Sequence, residues 1–165
     1  MGANVGSCVI TNLSTGETKG INSGKIFPVG IHPTRDLPLL QTIVRELGRN
    51  PLDTRISCPL EVGYGGAMGP AQFIPSTWLQ YQSEIEQLKG GSVDPWNVRD
   101  AFLAAAVYLA KAKATKQTHD YEWCAAVTYF SGSCSSRNQI RYEFYGDNVM
   151  AIAARYEEDI KALEN

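Results

Sequence analysis

Residues 7–21 alternate β-branched and polar side chains about Ser14, Thr15 and Gly16, and this period of two predicts a short hairpin. Residues 22–35 carry Gly, Pro, Ser and His without periodicity and read as loop. From Asp36 the spacing becomes helical, with Leu40, Ile43, Val44 and Leu47 on one face, Asp36 placed to cap the start and Gly48 to end it. A second loop over 49–70 holds Pro51, Pro59 and four glycines from Gly63 to Gly69. Thr77 and Gln80 have the spacing of a capping box, and Trp78, Tyr81, Ile85 and Leu88 follow on one face until Gly90 and Gly91. Asn97 with Asp100 opens the next helix, whose interior from Ala101 to Ala110 is apolar nearly all round, the pattern of a central helix. A shorter helix is expected over Tyr121 to Phe130. A final amphipathic one starts at Asp147 and carries Val149, Met150, Ile152, Ala153, Tyr156, Ile160 and Leu163. The elements predict a mainly α, α+β domain with one small β-hairpin. No repeat, low-complexity tract or linker interrupts 1–165, so a single domain is the economical reading.

Composition narrows the partners. With 165 residues, 44% hydrophobic and 19% charged, the chain can bury a core without needing a metal or disulfide merely to fold. Fifteen basic against seventeen acidic residues leave a net charge of −2, which offers no footprint for nucleic acid or an anionic membrane. No apolar run reaches the roughly 18 residues of a membrane span. The start lacks the basic and apolar regions of a secretory signal, so the chain is read either as intracellular or as an interior piece of a longer protein. Cys8, Cys58, Cys124 and Cys134 form no CxxC pair, and His32 and His119 are isolated, so neither a metal site nor a cofactor is expected. On spacing alone the cysteines are two disulfides in any of three connectivities or four free thiols. The pair Cys124 and Cys134 brackets a Ser/Gly segment able to close as a short loop.

The most unusual stretch is Gly63-Tyr-Gly-Gly-Ala-Met-Gly-Pro-Ala-Gln-Phe-Ile-Pro-Ser-Thr-Trp78. A dinucleotide fingerprint would need its third glycine at Met68, and a P-loop would need Gly-Lys-Ser/Thr, so phosphate binding is not indicated. What remains is a loop whose backbone can approach a partner closely, with one uncharged hydrogen-bonding side chain, Gln72, between Pro70 and Pro75. This run resembles the loop and helix start of lytic murein transglycosylases of the membrane-bound B type. Asp94-Pro-Trp-Asn97, then Asp100-Ala-Phe and the Ala-rich helix ending in Tyr108-Leu109, are similar to the family's Asp-x-Trp-Asn, Asp-Ala and Tyr-Leu elements. Tyr129 and Tyr145-Gly146 with Val149 resemble its Tyr-Asn-x-Ser and Tyr-x-x-x-Val region, with Phe130 in place of the usual Asn.

The resemblance covers about residues 60–155 and implies a lysozyme-like fold that cleaves peptidoglycan between N-acetylmuramic acid and N-acetylglucosamine. It implies that Tyr64, Met68 and Gln72 line the cleft near the scissile bond and that Tyr129 and Tyr145 face it. A near-neutral chain with three Trp, eight Tyr and five Phe suits a neutral glycan, bound by stacking and uncharged hydrogen bonds. The family uses one Glu, first as general acid and then as base on the C6 hydroxyl, giving a 1,6-anhydro product. That Glu belongs to a Glu-Ser-x-x-Gly motif, and Met1-Gly2-Ala3-Asn4-Val5-Gly6 resembles the residues directly after its Glu-Ser. The expectation is a domain truncated at its N-terminal edge, with the acid just before residue 1. Within the chain, Glu61 is the nearest candidate acid, although its position does not match the motif. Placement beyond the cytoplasmic membrane favours the pairs Cys8 with Cys58 and Cys124 with Cys134. A monomer acting on glycan strands is expected. The alternatives are a peptidoglycan-binding module without the acid, and a lysozyme-type hydrolase whose products are heavier by one water.

Overall fold

The computed structural model describes residues 6–61 and 63–164. The chain is mainly α with one small antiparallel sheet, and it divides into two compact units, Met1–Ala105 and Ala106–Asn165.

In the first unit, strands β1 (Cys8–Asn12) and β2 (Glu17–Gly20) form the expected hairpin. Asn12 makes the turn, its Oδ1 accepting the N–H of Ser14 at 2.8 Å and of Thr15 at 3.2 Å. A third strand, β3 (Ile26–Phe27), pairs with β2 inside the segment read as loop. Two residues flanked by Ser, Gly and Pro are too short for alternation to register.

Helix α1 (Leu37–Glu46) buries Leu37, Leu40, Ile43 and Val44, the stripe the spacing predicts. Gly48 follows in the left-handed conformation and donates to the Arg45 carbonyl at 3.0 Å. Asp36 precedes α1 but makes no side-chain cap there. Fully buried, it accepts the Ser76 N–H at 3.1 Å and so caps α2 (Pro75–Lys89) from a distance in sequence, while its other oxygen pairs with Arg35. The capping box expected at Thr77 is therefore displaced: α2 starts at Pro75, whose missing N–H suits the first turn, and Asp36 replaces a local cap. Trp78 and Ile85 of α2 are buried, α1 and α2 pack together, and Gly90 ends α2 with φ 78°.

Helix α3 (Val98–Lys111) is capped by Asn97, whose Oδ1 accepts from Arg99 at 3.0 Å and Asp100 at 3.2 Å. Ala101, Ala104 and Val107 are buried, yet Phe102 is 61% exposed. Alanine carries no polar mark for an exposed stripe, so an Ala-rich run overstates all-round burial.

In the second unit, a 3₁₀ turn at Ala114–Lys116 leads to α4 (His119–Ser131) and α5 (Ser136–Leu163), which pack together. Helix α5 begins well before the expected Asp147. Its first turns hold Arg137, Asn138, Arg141 and Glu143 with no apolar stripe, and Gly146 reads as a breaker. Gly146 is in fact buried against Trp123, where an added Cβ would lie 2.5 Å from the indole Nε1. The helix departs from helical geometry at Tyr142 (φ −121°, ψ 19°). Each unit carries one disulfide: Cys8–Cys58, with Cα atoms 5.0 Å apart, and Cys124–Cys134, 5.5 Å apart. Among the described residues no helix is long and apolar enough to cross a membrane.

Candidate active site

The glycine-rich loop is held as an irregular extension of the sheet. Ile56 bridges Cys8 of β1 through two 2.9 Å backbone hydrogen bonds, Met68 bridges Ile56, and the Met68 N–H donates to the Phe73 carbonyl at 2.9 Å. Ser57 pairs with Ala67 and Gly66, and the Gly65 N–H reaches the Gly30 carbonyl at 2.7 Å. At Gly65 an added Cβ would enter the backbone of Ser57 and Cys58, so the residue must be small for these strands to close.

The two most distinctive sequence motifs meet at Gly69. It has φ 58°, and a Cβ there would collide with the Pro95 carbonyl oxygen. The turn that contains Pro95 is itself braced. Asp94 accepts from Arg49 through Oδ2 and from the Trp96 N–H at 2.8 Å through Oδ1. The Arg49 guanidinium lies 4.9 Å over the Trp96 ring, whose indole N–H donates to the Arg55 carbonyl at 2.8 Å. Asp100 anchors the turn from below: burial opposes its charge, but the Lys89 ammonium at 2.8 Å and the Asp94 N–H at 2.9 Å outweigh this and hold its carboxyl below the ordinary range.

Gln72 sits at the tip with φ 58°, a left-handed backbone uncommon for a side chain of this type. Its Nε2 donates to the Gly69 carbonyl at 2.7 Å, which leaves Oε1 as an acceptor with no partner among the described residues. Tyr64 is 47% exposed and its ring centroid lies 4.8 Å from that of His32. His32 Nδ1 accepts the Arg35 N–H at 3.1 Å, which fixes the ring beside Tyr64. Reading His32 as isolated missed this pairing, since 32 residues separate the rings in sequence and no motif links them.

Two expected site residues are placed differently from the expectation. Met68 is fully buried, so its side chain supports the loop from beneath instead of lining an open surface. Glu61 is exposed, without the apolar enclosure that raises a general acid's affinity for its proton. The Met1-to-Val5 stretch on which the missing acid was inferred lies outside the described residues, as does Val62.

In the second unit Tyr129 and Tyr145 belong to an aromatic cluster. Tyr129 meets Tyr108 edge-on at 5.2 Å, and Tyr145 stacks on Phe130 at 4.5 Å. Burial first, then the neighbouring Tyr145 and Tyr108, pushes the Tyr129 phenol well above its ordinary range, and burial raises Tyr145 as well. Both therefore stay protonated, as neutral hydroxyl groups able to donate and accept.

Residues 54–144, more than half of the chain, match the family model described as Transglycosylase SLT domain. The chain belongs to the transglycosylase SLT domain family. No curated protein and no solved structure matches it. The matched part of this SLT domain includes the glycine-rich loop, the Asp94–Asn97 turn and Tyr129, and it ends one residue before Tyr145. Among the described residues of the SLT domain, no three His, Cys, Asp or Glu side chains gather into a metal-binding group.

Proposed function

We propose that this SLT domain is a lytic transglycosylase of the membrane-bound B type, cleaving peptidoglycan between N-acetylmuramic acid and N-acetylglucosamine and leaving a 1,6-anhydro end. The observation that carries the reading is the family match over a loop whose backbone is fixed on both sides, by Ile56 and by Pro95, and whose tip presents Gln72. In the first unit Tyr64 supplies an aromatic face and Gln72 Oε1 accepts from a hydroxyl or N-acetyl N–H; in the second unit Tyr129 and Tyr145 offer neutral hydroxyls to a glycan. Cleavage uses one carboxylic acid, which protonates the leaving oxygen and then takes the proton of the C6 hydroxyl as that oxygen closes the ring. Glu61 does not fill this role, because it is exposed. Neither do the buried carboxylates: Asp36 is engaged by Ser76 and Arg35, and Asp100 by Lys89 and Asp94. The two disulfides support action beyond the cytoplasmic membrane, as a monomer on glycan strands.

The test is digestion of purified peptidoglycan by the chain, with the soluble fragments weighed by mass spectrometry. Anhydro-ended fragments support the transglycosylase reading. Fragments heavier by one water would instead make it a hydrolase, and binding without release would make it a glycan-binding module. Glu61→Gln should leave the rate unchanged; a loss of about 100-fold or more would restore Glu61 as the acid.

A further inference from the structure

Helices α4 and α5 border an open hollow of about 510 Å³ lined by Asp120, Tyr121, Trp123, Cys124 and Gln139. We propose that it is a second glycan-binding site of this chain, taking uncharged N-acetylated sugar units, and this inference rests on the peptidoglycan reading above. The volume falls within the range of about 300–1,000 Å³ usual for small-molecule sites. Its walls are fixed before any ligand arrives. The Trp123 indole N–H donates to Asp147 at 2.8 Å, and the indole is seated against Gly146, where no larger residue fits. Cys124 of the lining is held by its disulfide to Cys134, and Gln139 Nε2 is tied to the Cys134 carbonyl at 3.0 Å, leaving Gln139 Oε1 as an acceptor.

The lining chemistry selects the ligand class. Among the described residues no Lys or Arg lines the hollow, and the first turn of α4 already carries Asp120, whose carboxylate lies 3.6 Å from His119 Nδ1, and Glu122, so the lining holds no fixed cation for an anionic ligand. One carboxylate is too few for a metal. Two aromatic rings with a carboxylate and an amide oxygen are the set that stacks on a sugar face and accepts from its hydroxyls. The hollow is also distinct from the tyrosine cluster. Its lining includes neither Tyr129 nor Tyr145, and at about 100° per residue Tyr129 lies roughly 80–180° around α4 from the four lining residues of that helix.

The experiment is a ¹H–¹⁵N NMR titration of the chain with the linear tetramer of N-acetylglucosamine, followed at the indole N–H signals of Trp78, Trp96 and Trp123. A saturable shift of the Trp123 signal is expected. Tyr121→Ala, a change at a 43% exposed ring, should weaken that binding about tenfold or more, whereas Tyr64→Ala in the other unit should leave it intact. An unmoved Trp123 signal, or one whose titration is the same in Tyr121→Ala, overturns the second site. If peptidoglycan is nevertheless cleaved, the functional reading stands alone; if the chain neither binds nor cleaves peptidoglycan, both fall.

Discussion

Gly69 offers a direct test of the idea that the glycine-rich loop is shaped by contact with the Asp94–Asn97 turn, because a second glycine supplies the control. Gly69 and Gly90 both have positive φ, 58° and 78°, so alanine at either position bears a left-handed backbone at a cost of about 1–2 kcal/mol. Both substitutions also stiffen the unfolded chain by a similar amount, which cancels in the comparison. They differ in space. Nothing lies within 4 Å of a Cβ at Gly90, whereas at Gly69 it collides with the Pro95 carbonyl and the backbone must move. A forced rearrangement of packed structure costs about 1–3 kcal/mol more. At roughly 2–4 °C per kcal/mol for a chain of this length, Gly69→Ala should melt about 2–12 °C below Gly90→Ala. Circular dichroism of the two variants and the parent measures this. Assayed below both transitions, Gly69→Ala should also lose peptidoglycan cleavage, since the carbonyl that holds the Gln72 amide moves with it, while Gly90→Ala retains it. Equal melting temperatures would refute the claim that the two motifs brace one another.

Opening Cys8–Cys58 by double serine substitution should cost about 4 kcal/mol, and opening Cys124–Cys134 about 3, because their separations are 50 and 10 residues; urea unfolding with the reverse ranking contradicts the loop-entropy argument. Asp36→Ala should cost about 1–3 kcal/mol by leaving the part-buried Ser76 N–H without its acceptor, and a loss below about 0.5 kcal/mol in urea would remove its role as the α2 cap. Tyr129 and Tyr145 have raised folded-state pKa values, so the unfolded chain loses these protons first. The stability they contribute is present below about pH 10 and is lost as pH rises above it, by up to about 1.4 kcal/mol per pH unit at the more deeply buried Tyr129 and by less at Tyr145, which solvent screens, so Tyr129→Phe should flatten the alkaline limb of stability against pH.

The parts of the fold that carry a single-sided stripe were legible. Leu40, Ile43 and Val44 in α1 and Trp78 and Ile85 in α2 are buried as their spacing predicts, and the hairpin is present over β1 and β2. Features set by distant partners were not. Asp36 precedes one helix and caps another, a choice made by tertiary packing that no window of sequence contains. Gly146 reads as a helix breaker because its reason for being glycine is Trp123, on another helix. The glycine-rich loop announced itself by composition, and its motif order led to the transglycosylase SLT domain family, the level at which the match over residues 54–144 stands. Met68 shows the limit of that inference: a residue type shared with the family's motif says nothing about which side of the loop it faces, and here the chain pairs it into the sheet extension and buries it.

The distribution of charge separates the tasks of holding the substrate and cutting it. Buried carboxylates in the described residues are committed to the fold: Asp36 fixes the start of α2 and Asp100 fixes the turn that braces Gly69, each by accepting an N–H and pairing with a cation. At Asp100 that environment favours the ionised form, the reverse of what a general acid needs. The loop's proposed recognition elements, exposed Tyr64 and half-buried Gln72, are neutral, and burial pushes the already neutral phenols of Tyr129 and Tyr145 further from ionisation. A glycan bound by uncharged groups is held equally well from acid to mildly alkaline pH. Any pH dependence of cleavage in that range must then arise in the proton-transfer step, so substitutions at Tyr129 or Tyr145 should scale the pH–rate profile without moving its midpoints.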